Sequence, residues 1–305
     1  MGVRAQSALL LLFLAFTPLS AHGAGQDKSE PSPVPAVSAP DEFHIKGLSF
    51  PRGFIKDETA GTYFIANLNG RQLSKGNRGF ITRLNPDGTL AELKFIQGGK
   101  GGFKLHAPKG LLIDGDRLYI SDIDRVVVAD KNSGALLASV DLAPQGAKYL
   151  ADMARGPQGR IYVCDTIGSK IFIIDPANNN EVSVFATGRE LDSPSAIAYS
   201  PQLDKFLVTL ANGYIGGIDM AGKVNPKFIK ADFRNLVGMD IDGDGRVYAV
   251  SFTRGKVVRM DDLGQGPKRV LKEKLKTPGS LFIDRKNRKI LIPLTLSHRL
   301  ASLDY

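Results

Sequence analysis

Chemistry in this chain has few places to sit, because histidine is scarce. Of four histidines, His22 falls in an apolar N-terminal segment, which leaves His44, His106 and His298 for the rest of the chain. His106 follows a glycine-rich stretch, Gly98-Gly99-Lys100-Gly101-Gly102, and precedes the run Arg117-Leu-Tyr-Ile-Ser-Asp122. A second run of the same form, Arg160-Ile-Tyr-Val-Cys-Asp165, ends on another carboxylate. One imidazole near two carboxylates is the minimum set for general acid–base work, so His106, Asp122 and Asp165 are the candidate catalytic residues. Asn67 ends a third such run, and Asn69 and Asp124 stand two residues beyond Asn67 and Asp122. The matching positions later in the chain are Leu210, Ser251 and Leu294. Hydrogen-bonding groups therefore crowd the first half of the repeat series, as a site for a polar ligand would require. The competing reading is local. An aspartate after a strand often caps its own turn by accepting backbone N–H groups. His106 is likewise open between general base, metal ligand and loop packing.

The elements that would hold these residues recur. Short β-like runs rich in Val, Ile, Leu and Tyr begin at Thr62, Arg117, Arg160, Lys205, Arg246 and Lys289, at intervals of 41 to 55 residues. Each is preceded by an apolar run, beginning at Gly53, Gly110, Asp152, Ala196, Gly238 and Ser280, and each is followed by a third. Turn signals such as Pro86-Asp87-Gly88 and Asn132-Ser133-Gly134 close the units. A period in the low forties with several strands per unit predicts propeller blades, and the apolar spacing lacks the three-and-four rhythm of helical repeats. The expectation is an all-β, six-bladed β-propeller of four-stranded antiparallel blades over residues 42–305. The long first interval places an oversized loop at residues 67–78. The chain stops after a third strand, so residues 42–50 are expected to supply the outer strand of the last blade and close the ring.

Residues 1–23 read as a signal peptide: Arg4, the apolar run Ala8–Phe16, Pro18, and small residues at Ala21 and Gly23. Residues 24–41 are rich in Pro, Ser and Ala and read as a linker. A periplasmic or secreted protein without a membrane span is expected. The single cysteine, Cys164, excludes an intrachain disulfide and sits in an apolar run, as a buried thiol would. The formal charge of +9 comes without Lys/Arg runs interleaved with aromatics, which argues against nucleic acid as a partner. A monomer is expected. The mature chain shows no Gly-x-Ser-x-Gly elbow, paired-His metal motif or Cys/His dyad.

The unit Pro-x-Gly, apolar strand, Asp, turn, Tyr-Ile/Val-x-Asp resembles the NHL-repeat propellers and the regucalcin/gluconolactonase-like family. The closest stretches are Asn67-Leu-Asn-Gly70, Leu105-His-Ala-Pro-Lys-Gly110 and Ser121-Asp-Ile-Asp124. The lactonase resemblance implies a divalent metal, held by acidic and amide side chains where the innermost strands begin. The residues at those six positions here are Arg52, Lys109, Ala151, Ser195, Val237 and Gly279. Asp152 is the one acid within a residue of that ring. No metal or other cofactor is expected on this basis, with calcium or another divalent ion as the residual alternative. Asp240-Ile-Asp-Gly-Asp-Gly245 matches the opening of a calcium loop, but Ser251 stands where the bidentate glutamate belongs, so a turn is expected.

Arg52 and Lys109 suggest instead a mouth for anions. The sequence thus points to a propeller that binds a small polar or anionic molecule, or a protein partner, through Arg52, Asn67, Asn69, His106, Lys109, Asp122, Asp124, Asp152 and Asp165. The alternative is a lactonase-type, metal-dependent hydrolase with a rearranged site.

Overall fold

A computed structural model describes residues 42–305. The signal-peptide and linker expectations, residues 1–41, lie outside the described residues. Six sheets of four antiparallel strands make six blades. The innermost strands are Pro51–Lys56, Leu111–Asp114, Leu150–Arg155, Ile197–Ser200, Leu236–Ile241 and Phe282–Asp284. The predicted β-runs form the second strands; three are buried along their whole length, as in Tyr63–Asn67 and Val247–Ser251, and the other three at all but one end residue. The pattern follows from position: a second strand is sandwiched between neighbouring blades on both faces, so both sets of alternating side chains must be apolar. Outer strands such as Leu90–Gln97 expose much of their length and carry polar residues.

The sixth blade has three strands contiguous in sequence, and its outer strand comes from the other end of the described chain. Glu42 pairs with Ala301 and Phe43 with Leu300. The expected closing segment is thus real, but only Glu42–Phe43 is strand. Gly47, at φ +89°, turns the chain out of the edge. Leu48 then drops into the core, and Phe43 packs edge-on against Phe54 and Tyr63 at 5.1 and 5.3 Å between centroids.

Blades are wedges that converge on the central axis, so neighbouring innermost strands approach closely. At their upstream ends they touch backbone to backbone. A Cβ on Gly53 would lie 2.2 Å from the Lys109 carbonyl oxygen, and one on Gly110 would lie 2.3 Å from that of Ala151. Only glycine fits at either place. Backbone hydrogen bonds cross two other gaps between blades, from Ser280 N–H to the Arg52 carbonyl at 3.0 Å and from Asp152 N–H to that of Ser195 at 3.3 Å. Toward the downstream ends the strands carry side chains instead, and the channel widens into a cavity.

Candidate functional site: a one-sided channel

The cavity has a volume of about 670 Å3 and opens on the face formed by the turns between first and second strands. Ile55, Leu112, Ala154, Ala198 and Phe282 line it, with small residues on the blade 3 and 4 side. Charged groups surround the mouth. Lys56 reaches Asp284 at 2.8 Å, Lys131 reaches Asp57 at 2.7 Å, and Arg155 reaches Asp114 at 3.0 Å. Arg285 meets Asp240 at 3.0 Å and Glu58 at 3.9 Å. Every cation lining the cavity therefore has an acid within reach.

Two aspartates project into this space from innermost strands, and each bridges to the next blade. Asp152 accepts from Ile197 N–H at 3.3 Å, and Asp240 accepts from Ile283 N–H at 2.9 Å. The inner edge of a propeller strand has no neighbouring strand, so a side-chain acceptor satisfies an N–H that sheet pairing cannot. The two acids differ in their company. Arg285 offsets the charge of Asp240, whereas Asp152 has no cation within ion-pair distance among the described residues. Desolvation pushes the Asp152 carboxyl up to about 7, with the Asp240 carboxylate adding to the rise and the backbone N–H groups opposing it. Part of Asp152 stays open to the channel. Among the described residues it is the one lining carboxylate without a cation partner.

The sequence-nominated residues divide between the two ends of the channel. Asp152 alone among them lines the cavity. At the upstream end, the Asp165 carboxylate accepts three backbone N–H groups, from Lys148, Tyr149 and Gly168, at 2.8 to 3.0 Å. Asp122 accepts from His106 and Ala107, both at 2.6 Å. The Asn67 amide accepts from Ser49 N–H and donates to Ile65 O and Thr82 Oγ1. All three side chains are completely buried; they hold the loops that enter the innermost strands, and only Gly168 N–H to Asp165 lies in the aspartate's own turn.

Asp124 pairs with Lys75 of the long blade 1 loop and with Arg125. Lys109 is buried, donates to the Ala107 carbonyl, and lies 4.4 Å from the Tyr149 ring centroid. Desolvation lowers its ammonium to about 8, against the pull of Asp122. Arg52 lies over the Phe252 ring at 5.8 Å. The Tyr149 hydroxyl donates to Gln72 at 2.6 Å, so the long loop is tied down over this end of the channel. Asn69 and His106 line a separate recess within that loop. The structure thus brings Arg52, Lys109, Asp122, Asp124 and Asp165 into one neighbourhood, but away from the cavity.

Asp240 and Arg285 escaped the sequence reading. The first was absorbed into the calcium-loop pattern, yet only Asp242 serves that turn, accepting from the Asp244 and Arg246 N–H groups and from Arg246 Nε and Tyr248 Oη. Alternation along Leu236–Ile241 puts Asp240 on the face opposite the core residues Met239 and Ile241. For Arg285 the sequence carries no signal, since its partner lies 45 residues away. Among the described residues no three His, Cys, Asp or Glu side chains converge on one point. The residues therefore do not make the multi-carboxylate cradle that a hard divalent cation takes. Cys164 is buried, and desolvation raises its thiol well above the ordinary range.

Among solved structures the chain is similar to virginiamycin B lyase from Staphylococcus aureus, with a TM-score of 0.60 and 16% identity over 87% of each chain. A protein of unknown function from Bacteroides thetaiotaomicron superposes with a TM-score of 0.64 and 14% identity, over 88% of this chain and 74% of that one. Hydrazine synthase from Kuenenia stuttgartiensis gives 0.57 and 16%, over 86% and 80%. Such identities show the fold alone. No family model matches the chain, and no curated protein matches it in sequence. The regucalcin and NHL resemblance therefore stands at the level of the propeller.

Proposed function

We propose that this protein is a binding propeller that takes a small polar molecule into the downstream cavity, with Asp152 as the group that receives it. The observation that carries the reading is the charge arrangement. Every lining cation is already paired, while Asp152 faces the channel without a cation. A ligand offering hydroxyl or amine donors would meet an unused acceptor there; an anion would meet none of the cations free. Ile55, Leu112 and Phe282 would cover an apolar face of the same molecule. The signal-like N-terminal segment supports a role outside the cytoplasm.

A thermal-shift screen of polyols, primary amines and size-matched carboxylates tests this reading. Amines or polyols should raise the melting temperature of the wild type, and Ala198→Trp, which fills the small-residue side of the cavity, should abolish the shift. Carboxylates stabilising more strongly, or binding that survives Ala198→Trp, would contradict it.

One observation favours a second reading. A carboxyl titrating near 7 is poised to exchange a proton at neutral pH, so Asp152 has the acidity of a general acid–base group. A lactonase-type hydrolase would show turnover on a lactone panel with a pH profile that Asp152→Asn flattens. The binding reading predicts no turnover.

A further inference from the structure

The blade 1 loop has its own concavity, apart from the channel. A recess of about 230 Å3 is lined by Asn69, Gly70, Arg71, Ser74, Gly76, Arg78 and His106. Two features of it point to a ligand. Arg71 and Arg78 are exposed, and neither has an ion-pair or hydrogen-bond partner for its guanidinium among the described residues. The second feature is the imidazole. His106 Nδ1 accepts from Asn77 N–H at 3.1 Å, which leaves the proton of the neutral ring on Nε2. Both guanidiniums and the imidazole therefore present donors.

The walls are held in place from several sides. Asn77 Oδ1 accepts from Leu105 N–H at 2.7 Å, and the Asn69 amide donates to the Arg78 carbonyl at 2.8 Å. Asp122 takes the His106 N–H at 2.6 Å. The tip of the loop is moored through Lys75 to Asp124 and through Gln72 to Tyr149. At Gly76 a Cβ would come within 2.9 Å of Arg78 Nε. The missing side chain lets that guanidinium lie against the loop. Two free guanidiniums and one imidazole N–H form a donor-rich pocket, with Asn69 and Ser74 also in its wall, of the size of a tetrahedral oxyanion and its hydration.

We propose that this recess binds a phosphate or sulfate group, held by Arg71, Arg78 and His106. The same chemistry is carried by the free ion and by an ester on a larger molecule. The site is independent of the channel reading, and the two stand or fall separately.

The test is calorimetric titration of the full chain with inorganic phosphate, inorganic sulfate and methyl phosphate, at constant ionic strength set with chloride. Saturable binding should appear for at least one of the three. Arg71→Gln and Arg78→Gln should each weaken it about tenfold, and Arg71→Glu should abolish it. Lys100→Gln, which removes an exposed charge outside the recess, should leave it unchanged, as should Ala198→Trp in the channel. Methyl phosphate binding at least as well as phosphate identifies an ester as the ligand; its exclusion identifies the free ion. No saturable heat with any of the three overturns the proposal. Equal binding by wild type and both Arg→Gln variants, with melting temperatures unchanged, also overturns it.

Discussion

The two ends of the channel hold aspartates in opposite circumstances. Upstream, Asp122 and Asp165 sit where the loops are tightest and accept backbone N–H groups on both oxygens. Downstream, Asp152 accepts a long hydrogen bond from Ile197 N–H, with the Met153 N–H beside it, and turns its carboxyl to the cavity. Hydrogen bonds stand in for water around the first pair; desolvation pushes the third toward its neutral form. The same residue type thus serves as a structural cap at one end and as an unused acceptor at the other. Packing decides which. Backbone contacts at Gly53 and Gly110 narrow the upstream end, and side chains hold the strands apart downstream.

The contrast breaks first at the glycines. Gly53→Ala should cost about 3 kcal/mol or more, because its Cβ would drive into the Lys109 carbonyl and the neighbouring strand must move. Gly243, in a downstream turn with nothing within 4 Å of a Cβ, should tolerate alanine within about 0.5 kcal/mol. Urea unfolding of both variants measures the difference; comparable losses would remove the packing argument.

Next comes Asp165→Ala, which strands three backbone N–H groups and should destabilise by about 3 kcal/mol. The same change at Asp152 strands fewer, so its loss should be smaller.

Asp152→Asn should do the reverse and stabilise the protein, by about 1–2 kcal/mol at pH 8 once water in the channel is allowed for. The sign follows from the titration. The folded chain keeps the Asp152 proton up to about 7, while the unfolded chain releases it near 3.8. Between those values the native state binds more protons, so wild-type stability falls as pH rises from about 4 to 7 and is level above. The advantage of the asparagine should open across that window and vanish below pH 4. Paired melts of the two proteins over pH 3.5 to 8 record it, and a constant offset would show that the carboxyl is well solvated.

The smallest effect belongs to Lys75→Gln. Lys75 is 55% exposed on its side chain, so the pair with Asp124 should contribute less than about 1 kcal/mol. Limited proteolysis should nonetheless cut the 69–78 loop faster in the variant, and an unchanged rate would mean that Gln72 and Tyr149 moor the loop alone.

The blade count and the closing strand were legible because burial writes itself as pattern. Thr62, Arg117, Arg160, Lys205, Arg246 and Lys289 each open a run that packing on both faces forces to be apolar. The crowding of Asn67, Asp122 and Asp165 was legible too, and so was the choice between ligand and cap; only geometry shows their lone pairs already occupied. The open cavity left almost no trace. It depends on where neighbouring strands part, and on Arg285 reaching across to Asp240 from another blade, neither of which has a periodicity. Asp152 could be noticed as the odd acid beside a ring of other residues, but its lack of a cation is a fact about space.

The most direct test of the account is the titration of the Asp152 carboxyl itself. Carbon-13 NMR of the ligand-free protein, with the signal assigned by its absence in Asp152→Asn, should show a midpoint near 7, shifting downward when an amine occupies the cavity. A midpoint in the ordinary carboxylate range near 4, indifferent to amines, would show that Asp152 is neither desolvated nor the group that receives a ligand.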